Sequence, residues 1–337
     1  MSVFITGATG YIGHRLTIKL LEKGYQVHAL CRQKPDSQSF QHPGFHFFPG
    51  DIEDSNAIMA AMKGCDAVFH LAAIAKVWTP NPLQYYNVNV SGTCKVLDAA
   101  LENKIKKVVF TSSAAVFGFS NGIPLNEQDV RKNAFFTDYE TSKFIAEERI
   151  QHYVRKGLNI VIVHPTKVYG PGLWTESNAV SQLIKLFVEG DWRLIPGNGK
   201  MVGNFSFIDD VVEGHIMALE KGRAGEKYIL GGVNVSFNDF FALLKKFSGK
   251  RFATLHVPYP LMMIYGWQQE WIARLFGRKP KITRPWIKKY NHNLELSSEK
   301  AEYELGYQIT PMETGLMTTF EWLSGKLNFH FETVKSC

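Results

Sequence analysis

Tyr139 and Lys143 carry side chains that together could move a proton. They stand four residues apart, and in a helix this spacing places both on one face. A nearby ammonium stabilises a phenolate, and so lowers the pKa of a tyrosine from about 10 toward the range in which a general acid or base works best. The same spacing also occurs on solvated helix faces, so the pair needs a second observation beside it.

A cluster of hydroxyl groups provides that observation. Thr111-Ser112-Ser113 closes the predicted strand Lys107–Thr111, at the edge of a parallel sheet where open α/β folds bind ligands. Thr137 and Glu140 have the spacing of a capping box, which predicts that the helix carrying Tyr139 begins just before it. Hydroxyl, phenol and ammonium groups together indicate a catalytic site.

A glycine-rich turn, TGATGYIG at Thr6–Gly13, joins the predicted strand Val3–Thr6 to the predicted helix His14–Lys23. One glycine makes the tight turn, one lets backbone N–H groups approach a pyrophosphate, and one lets helix and strand pack closely. The anion would lie at the helix N-terminus. The first glycine interval is one residue longer than in GxGxxG, but the strand–turn–helix context predicts a dinucleotide site.

The end of the second predicted strand indicates which dinucleotide binds. An acidic residue ~20 residues after the glycines holds the ribose hydroxyls of NAD, whereas an arginine there accommodates the 2′-phosphate of NADP. Here the strand ends at Arg32, Lys34 follows, and the first acid is Asp36. NADP is the predicted cofactor, and NAD is the alternative if Arg32 is only a solvated arginine.

These groups must be positioned by a sheet. Short β-branched or aromatic runs alternate with amphipathic segments in the first half of the chain, which is typical of a parallel sheet covered by helices on both faces. The predicted fold is α/β, a doubly wound parallel (Rossmann) sheet with a smaller mixed C-terminal substrate lobe. The predicted strands are Val3–Thr6, Gln26–Cys31, Phe45–Phe48, Ala67–Leu71, Lys107–Thr111 and Asn159–His164.

The regular alternation weakens after about residue 170. We predict that residues 1–170 with parts of 200–235 form the NAD(P)-binding domain, and that 171–200 and 236–330 form the substrate lobe. Capping side chains predict further helix starts. They are Asp54 before Ser55–Lys63, Asp209 and Asp210 before a helix near Val211, Ser236 before Phe237–Ser248, and Thr310 before the last helix.

Taken together, the motifs resemble the extended class of the short-chain dehydrogenase/reductase superfamily (the NAD-dependent epimerase/dehydratase superfamily) over nearly the whole chain. Within it, the loop after Ala73 and the Gly231-Gly232 segment look most like the dihydroflavonol-4-reductase-like branch, which includes hopanoid-associated sugar epimerase-like proteins. The motifs in family order are Thr6–Gly13, Gly50-Asp51-Ile52, His70–Ala73, Asn89–Thr93, Ser113, YxxxK at Tyr139–Lys143, His164–Gly172 and Phe207–Val211.

The resemblance implies three catalytic roles. Tyr139 donates or accepts the proton, Lys143 lowers its pKa and holds the nicotinamide ribose, and Ser113 hydrogen-bonds the reacting oxygen. Ser113 is chosen over its neighbours because it occupies the family's active position ahead of Val-Tyr-Gly. That motif reads Val-Phe-Gly here, and Phe117 weakens the match to sugar epimerases.

The resemblance also implies a cofactor site. Asp51 and Ile52 are expected to flank the adenine. Ala72 and Ala73 let the cofactor pass close to the fourth strand, and Pro165 abuts the nicotinamide. The full predicted set is Gly7, Thr9, Gly10, Tyr11, Ile12, Gly13, Arg32, Asp51, Ile52, Ala72, Ala73, Tyr139, Lys143 and Pro165.

The predicted activity is hydride transfer to or from a carbonyl or carbinol carbon, with ketone reduction of the dihydroflavonol-reductase kind as the first choice. Dehydratases of this class carry carboxylates next to the strand-end hydroxyl, where this chain has Ala114-Ala115, so dehydration is disfavoured. The alternatives are a nucleotide-sugar epimerase with tightly bound NAD and a non-catalytic dinucleotide-binding sensor. Aromatic residues predict either a bulky, ring-containing substrate or a core: Trp78, Trp174, Trp192, Tyr259, Tyr265 and Trp267.

A net charge of +7 could indicate a nucleic-acid or membrane partner. The charge is localised, because seven basic residues and no acidic one lie between Trp271 and Leu294. We predict no nucleic-acid partner and prefer a solvated basic face. The alternatives for this run together with 259–276 are a lid or an amphipathic element on an anionic membrane.

The remaining predictions concern environment. The four cysteines are scattered without paired spacing, which favours free thiols and a cytoplasmic location. We see no signal-peptide pattern, no apolar run long enough for a membrane span and no histidine spacing typical of a metal site. Asn89 is expected to organise backbone and water, and the resemblance implies a homodimer through helices near 87–103 and 137–156.

Overall fold

The protein is built on one large parallel sheet and two small ones. The computed structural model describes residues 1–35, 40–250 and 252–325. Its strands are β1 Ser2–Thr6, β2 Gln26–Cys31, β3 Phe45–Pro49, β4 Ala67–His70, β5 Lys107–Thr111, β6 Ile160–Pro165, β7 Lys167–Tyr169, β8 Leu194–Pro196, β9 Val202–Phe207, β10 Lys227–Leu230, β11 Val233–Ser236 and β12 Leu255–Val257.

The large sheet contains seven parallel strands in the order β10-β6-β5-β4-β1-β2-β3. The chain builds outward from β1 through β2 to β3, and then outward in the opposite direction from β4 through β5 to β6. This confirms the predicted doubly wound fold, and each predicted strand end lies within one residue of the observed one.

Helices cover both faces of this sheet and continue into the C-terminal part of the chain. They are α1 Tyr11–Glu22, α2 Ser55–Met62, α3 Leu83–Tyr86, α4 Thr93–Glu102, α5 Asp138–Arg155, α6 Ala179–Glu189, α7 Ile208–Lys221, α8 Phe237–Ser248, α9 Tyr259–Phe276, α10 Arg284–Lys289, α11 Glu299–Leu305 and α12 Met312–Leu323. A π-helical turn, Asn87–Gly92, precedes α4, and a 3₁₀ turn, Ala114–Phe117, follows β5.

Alternate side chains of the strands supply two separate cores. On β1, Val3 and Ile5 join the core beneath α1 and α7, whereas Phe4 joins the core beneath α2, α4 and α5. Successive side chains of a strand point to opposite faces, so a strand buried on both faces must be apolar throughout. This is why the strands read as continuous apolar runs.

The smaller sheets lie in the C-terminal part of the fold. One has the order β11-β9-β7 and the other pairs β12 with β8. Phe205 of β9 stacks on Phe240 of α8 with 4.6 Å between ring centroids, inside the same core that lies beneath α1 and α7. The division into two domains stays a prediction.

Three predicted helix caps are confirmed. The side chains of Asp54, Thr137 and Ser236 accept backbone N–H groups in the first turns of α2, α5 and α8, respectively. The predicted start of the first helix at His14 is wrong, because α1 begins at Tyr11, directly after the glycine turn.

Two other predicted caps are also wrong. Helix α7 begins one residue before Asp209, so neither acid occupies the N-cap position. Asp209 forms an ion pair with Arg15 of α1, with 2.7 Å between Oδ1 and Nε. Asp210 accepts the backbone N–H and the hydroxyl of Thr310, so Thr310 does not cap α12, whose N-cap position is Pro311. These partners lie far away in the sequence, where spacing cannot reveal them.

Candidate active site

The predicted site residues come together at the carboxyl ends of β1, β4, β5 and β6. Adjacent strands end level with one another: Thr6 pairs with His70, and Thr111 with Val163. The direction of chain progress reverses between β1 and β4, and ligands of open α/β sheets bind in the crevice at such a switch point.

The glycine turn lies against the loop after β4 so closely that side chains are excluded. Gly7 has a φ of 78°, and a Cβ atom there would lie 2.7 Å from the Ala72 nitrogen. A Cβ atom on Gly13 would lie 2.0 Å from the Gly7 carbonyl oxygen. The turn therefore presents bare backbone at the start of α1.

The first turn of α1 presents backbone donors at this place. Its N-cap residue, Gly10, offers no capping side chain, and the first N–H groups of a helix have no partner within it. Together with the helix dipole, they form a site for an anion. The backbone of Thr9–Gly13 therefore fits a dinucleotide pyrophosphate.

Tyr11 contributes to such a site only through its backbone. Its hydroxyl donates to the Gly170 carbonyl oxygen at 2.9 Å and lies 3.3 Å from Ser181 Oγ. The ring is buried, and burial raises the pKa of the Tyr11 hydroxyl. Its side chain thus ties α1 to the segment after β7, a structural role that the motif alone did not predict.

The expected adenine-side residues lie around the ends of β2 and β3. Arg32 is exposed directly after β2, and Ile52 is buried against Gly92 at the start of α4. The Asp51 carboxylate accepts the backbone N–H of Glu53 at 3.0 Å. Asp36 lies outside the described residues.

The loop after β4, which contains Ala72 and Ala73, is held by two buried side chains. Thr6 Oγ1 accepts the Ala72 N–H at 3.2 Å. Asn89 Oδ1 accepts the Ile74 N–H at 2.8 Å, and its amide donates to Ser142 Oγ on α5 at 2.9 Å. Asn89 thereby fixes the distance between this loop and α5, the helix that carries the predicted catalytic pair.

Tyr139 lies in the first turn of α5, and its side chain interacts with the Ser113 hydroxyl. Burial raises the pKa of the Tyr139 phenol, and the hydrogen bond with Ser113 acts in the opposite direction. Ser112 is buried and donates to the Glu147 carboxylate, whereas Ser113 is only half-buried. Of the two serines, Ser113 is the one placed beside the phenol.

Lys143 is buried one turn further along α5. Its ammonium donates to the Thr111 carbonyl oxygen at 2.8 Å and lies 4.8 Å from the centre of the Phe110 ring. Burial lowers the pKa of Lys143 to about 8, against the opposing effect of the Glu147 carboxylate. Burial dominates at the phenol, so the Tyr139 pKa is raised overall, and the lowering effect expected of Lys143 stays a prediction.

A buried ionic cluster lies behind this pair. Glu147 is 2% exposed and contacts Lys227 Nζ at 2.7 Å and His164 Nε2 at 2.8 Å. Burial would raise the pKa of Glu147, but His164 and Lys227 outweigh it and hold the pKa at about 2. Our sequence reasoning missed Glu147, although its spacing of four residues from Lys143 on one helix face was visible.

A second buried acid lies next to Tyr139. Glu140 is 1% exposed and contacts Arg131 Nη2 at 3.2 Å and Lys289 Nζ at 2.7 Å. It joins the loop before α5 to α10 in the C-terminal part. Sequence spacing could not indicate these partners, because Lys289 is remote in the chain.

The predicted aromatic residues of the substrate lobe separate in the structure. Trp174 stacks on Trp322, with ring centroids 4.8 Å apart, and Tyr259 lines an open cleft. Tyr265 and Trp267 are exposed by 42% and 54% on α9, so a core position is wrong for these two, and a pocket position stays a prediction. In residues 1–35, 40–250 and 252–325, no group of acidic, histidine or cysteine side chains is arranged to hold a metal ion, and no helix is long and apolar enough to cross a bilayer.

Comparison with known proteins decides the family. Residues 3–231 match the model of the NAD dependent epimerase/dehydratase family. The chain belongs to this family. The resemblance stated from the motifs is thereby confirmed. A glycine turn that fits a dinucleotide agrees with a family described as NAD dependent.

Proteins that are similar to this chain carry different activities in their names. A protein of Synechocystis sp. named "Putative dihydroflavonol 4-reductase" is 29% identical over 95% of this chain and 93% of its own. The N-acetyl-alpha-D-glucosaminyl-diphospho-ditrans,octacis-undecaprenol 4-epimerase of Escherichia coli O157:H7 is 27% identical over 89% of this chain and 88% of its own. The crystal structure of gox2253 has a TM-score of 0.80 and 30% identity, covering 96% of this chain and 98% of that one. The protein is an enzyme of the oxidoreductase and epimerase type.

Proposed function

We propose that this protein reduces a ketone on a bulky, ring-containing small molecule by hydride transfer from NADPH, with Tyr139 as the proton donor. The observation that carries the proposal is the convergence of the Tyr139 phenol, the Ser113 hydroxyl and the buried Lys143 ammonium at the carboxyl edge of the sheet. As a ketone oxygen gains negative charge, the phenol can donate a proton to it and the hydroxyl can donate a hydrogen bond.

The protonation state of Tyr139 suits the reducing direction. A reduction needs a phenol that still holds its proton at neutral pH, and burial raises the Tyr139 pKa. The Ser113 hydroxyl would donate to the substrate oxygen, and the Tyr139 hydroxyl would deliver the proton as the carbon–oxygen double bond becomes a single bond. The Lys143 ammonium lies one turn away and would stabilise the phenolate that remains.

The cofactor is assigned from the residues that would hold it. Bound NADPH would supply the hydride. The Thr9–Gly13 backbone would take the pyrophosphate and the exposed Arg32 guanidinium the 2′-phosphate, with NAD as the alternative dinucleotide. Ile52, Ala72, Ala73 and Pro165 would line the path between them, as the family likeness implies.

The first experiment identifies the cofactor and the direction together. The purified protein is denatured and any released dinucleotide is identified by mass. The untreated protein is then titrated with NADPH and NADH and assayed with polycyclic and flavonoid-type ketones. We expect an exchangeable site that prefers NADPH, and oxidation of NADPH in the presence of a ring ketone.

The other outcomes identify the other functions. Stoichiometric, non-exchanging NAD together with turnover of nucleotide sugars would replace the reductase by an epimerase, as in the E. coli relative's name. Dinucleotide binding without turnover of ketones, alcohols or nucleotide sugars would indicate a sensor.

We further propose that the enzyme is a cytoplasmic homodimer. Cys31, Cys65 and Cys94 are free thiols, as expected in a reducing compartment. The dimer would form through α4 and α5, where Phe144 is 37% exposed on the outer side of α5. Sedimentation of the wild type and of a Phe144→Glu variant tests this assembly. If the dimer forms through α5, the variant shifts toward the monomer.

A further inference from the structure

Helix α9 presents an apolar face to the outside of the molecule. Of the eighteen large hydrophobic side chains that are exposed among the described residues, seven lie on this one helix. Such concentration differs from the scattered exposure that is normal on a protein surface. We call these residues the outer face of α9: Leu261 56%, Ile264 62%, Tyr265 42%, Trp267 54%, Trp271 53%, Leu275 56% and Phe276 70% exposed.

Contacts on the opposite side of the helix fix this orientation. Gly266 is buried, and a Cβ atom there would lie 2.5 Å from Ile287 Cδ1 of α10. Glu270 Oε2 lies 2.9 Å from both Nη2 and Nε of Arg284. A close backbone approach and an ion pair thus hold α9 against α10, so rotation that would bury the outer face would break both.

Positive charge without acidic partners lies on α9 and in the segment that follows it, as far as α10. Of the seven basic residues between Trp271 and Leu294, three pair with acids: Lys279 with Glu176, Arg284 with Glu270 and Lys289 with Glu140. The other four have no ion pair with any residue in the described part of the chain, and all four are exposed: Arg274, Arg278, Lys281 and Lys288.

We propose that the outer face of α9 docks on a bilayer surface that contains anionic lipids. Its leucine, isoleucine and phenylalanine side chains would enter the acyl boundary, and its tryptophan and tyrosine rings would lie at head-group level. The four unpaired basic residues would contact anionic head groups. The protein would lie on the membrane without crossing it.

Charge complementarity selects the lipid over a second copy of this chain. A symmetric dimer through α9 would bring the same surface, and therefore the same four unpaired cations, against itself. Like charges at such an interface oppose association, whereas an anionic bilayer offers both an apolar layer and opposite charge. The proposal therefore adopts the alternative of an amphipathic element on an anionic membrane in place of the solvated basic face that the sequence favoured.

This proposal does not depend on the proposed reaction, and the two are tested separately. Helix α10 nevertheless joins the docking surface to the catalytic region, because Lys289 of α10 contacts Glu140, the neighbour of Tyr139. A substrate dissolved in the membrane would therefore reach a site whose surrounding helices lie close to that surface.

The test is flotation of the full-length protein with vesicles of phosphatidylcholine alone or of phosphatidylcholine mixed with phosphatidylglycerol. We expect wild type to float only with the anionic vesicles, and high salt to reduce the floating fraction. Trp271→Gln/Leu275→Gln is expected to weaken binding at least tenfold. Arg278→Glu/Lys281→Glu is expected to weaken binding to anionic vesicles in the same way.

The matched control is Leu83→Gln/Trp192→Gln, which changes the same residue types at exposed positions outside α9. It is expected to bind like wild type. All variants are expected to keep the wild-type melting temperature, because none of the changed side chains is buried. Quenching of tryptophan fluorescence by brominated lipid in wild type, reduced in the α9 variant, would identify insertion.

Three results would overturn the proposal. One is failure of wild type to float with anionic vesicles. Another is equal loss of binding in the α9 variant and the control. The third is a concentration-dependent dimer that the α9 substitutions abolish while vesicle binding is absent, which would make a second copy the occupant.

Discussion

Tyr139 depends on its neighbours for any catalytic role, and the sequence revealed only some of them. The spacing to Lys143 and the strand-end position of Ser113 were visible, since both follow from local periodicity. The protonation state of the phenol was not visible in the sequence, because burial raises its pKa and burial depends on the packed fold. Family membership is established, and the roles of these three side chains are predictions.

Tyr139→Phe is expected to reduce turnover roughly 10²–10⁴-fold, because it removes the proton donor and leaves the ring in place. NADPH affinity should change little, since the Thr9–Gly13 backbone and Arg32 are untouched. Steady-state kinetics and a fluorescence titration of NADPH measure the two quantities. The control is Tyr303→Phe, at a tyrosine that is 91% exposed. Lost NADPH binding with preserved chemistry would refute the assignment.

Arg32→Asp is expected to lower the ratio of NADPH to NADH preference at least tenfold. The new carboxylate repels a 2′-phosphate and can accept hydrogen bonds from ribose hydroxyls instead. The ratio of kcat/KM values for the two dinucleotides measures it. Lys63→Asp makes a comparable charge change at the C-cap of α2, just before β4 begins. Lys63 therefore lies near the amino ends of the strands, whereas Arg32 follows the carboxyl end of β2. An equal shift in both variants would exclude a specific phosphate contact.

At the scale of elements, α5 organises the site. Successive turns of one helix present Tyr139, Lys143 and Glu147, and each meets a partner from a different strand or loop. The sequence predicted the helix, its Thr137 cap and its catalytic pair. It did not predict the buried cluster, because His164 and Lys227 come from β6 and β10 and are joined to Glu147 only by the strand order.

Glu147→Gln is expected to move the alkaline limb of the kcat/KM profile to lower pH. The carboxylate favours the charged form of Lys143, whose pKa is about 8. Without that negative charge the Lys143 ammonium loses its proton at lower pH, so activity that needs it declines earlier. The measurement is the pH dependence of kcat/KM for ketone reduction.

Glu148→Gln is the matched control, since the adjacent Glu148 is exposed and should leave the profile unchanged. A Glu147→Gln enzyme that is less stable but keeps the wild-type alkaline limb would show that Glu147 has a structural role only.

At the scale of the whole molecule, the parallel sheet was predictable because strands buried on both faces must be apolar. The C-terminal part was less predictable from the sequence, since long-range contacts orient its helices. The outer face of α9 shows the difference: the sequence made Tyr265 and Trp267 core or pocket candidates, yet the Gly266 and Glu270 contacts with α10 turn this face outward. Asp209 and Asp210 were misassigned for the same reason.

The link between Asp210 and Thr310 connects α7, on the large sheet, to the segment that leads into α12. Asp210 accepts the Thr310 N–H at 2.7 Å and its hydroxyl at 2.6 Å. Burial raises the pKa of Asp210, and the bonds from Thr310 only partly oppose this. The carboxylate is therefore useful as an acceptor and unfavourable as a buried charge.

Asp210→Asn and Asp210→Ala separate these two effects. In the asparagine variant the amide oxygen can accept the Thr310 N–H while the NH₂ group donates to the hydroxyl, so we expect an equal or higher free energy of unfolding at neutral pH. The alanine variant leaves both Thr310 groups without this partner and should lose about 1–3 kcal/mol. Urea unfolding measures both, with the exposed Asp191→Asn as control. If asparagine destabilised the protein as much as alanine does, the negative charge itself would be what joins the C-terminal segment to the sheet.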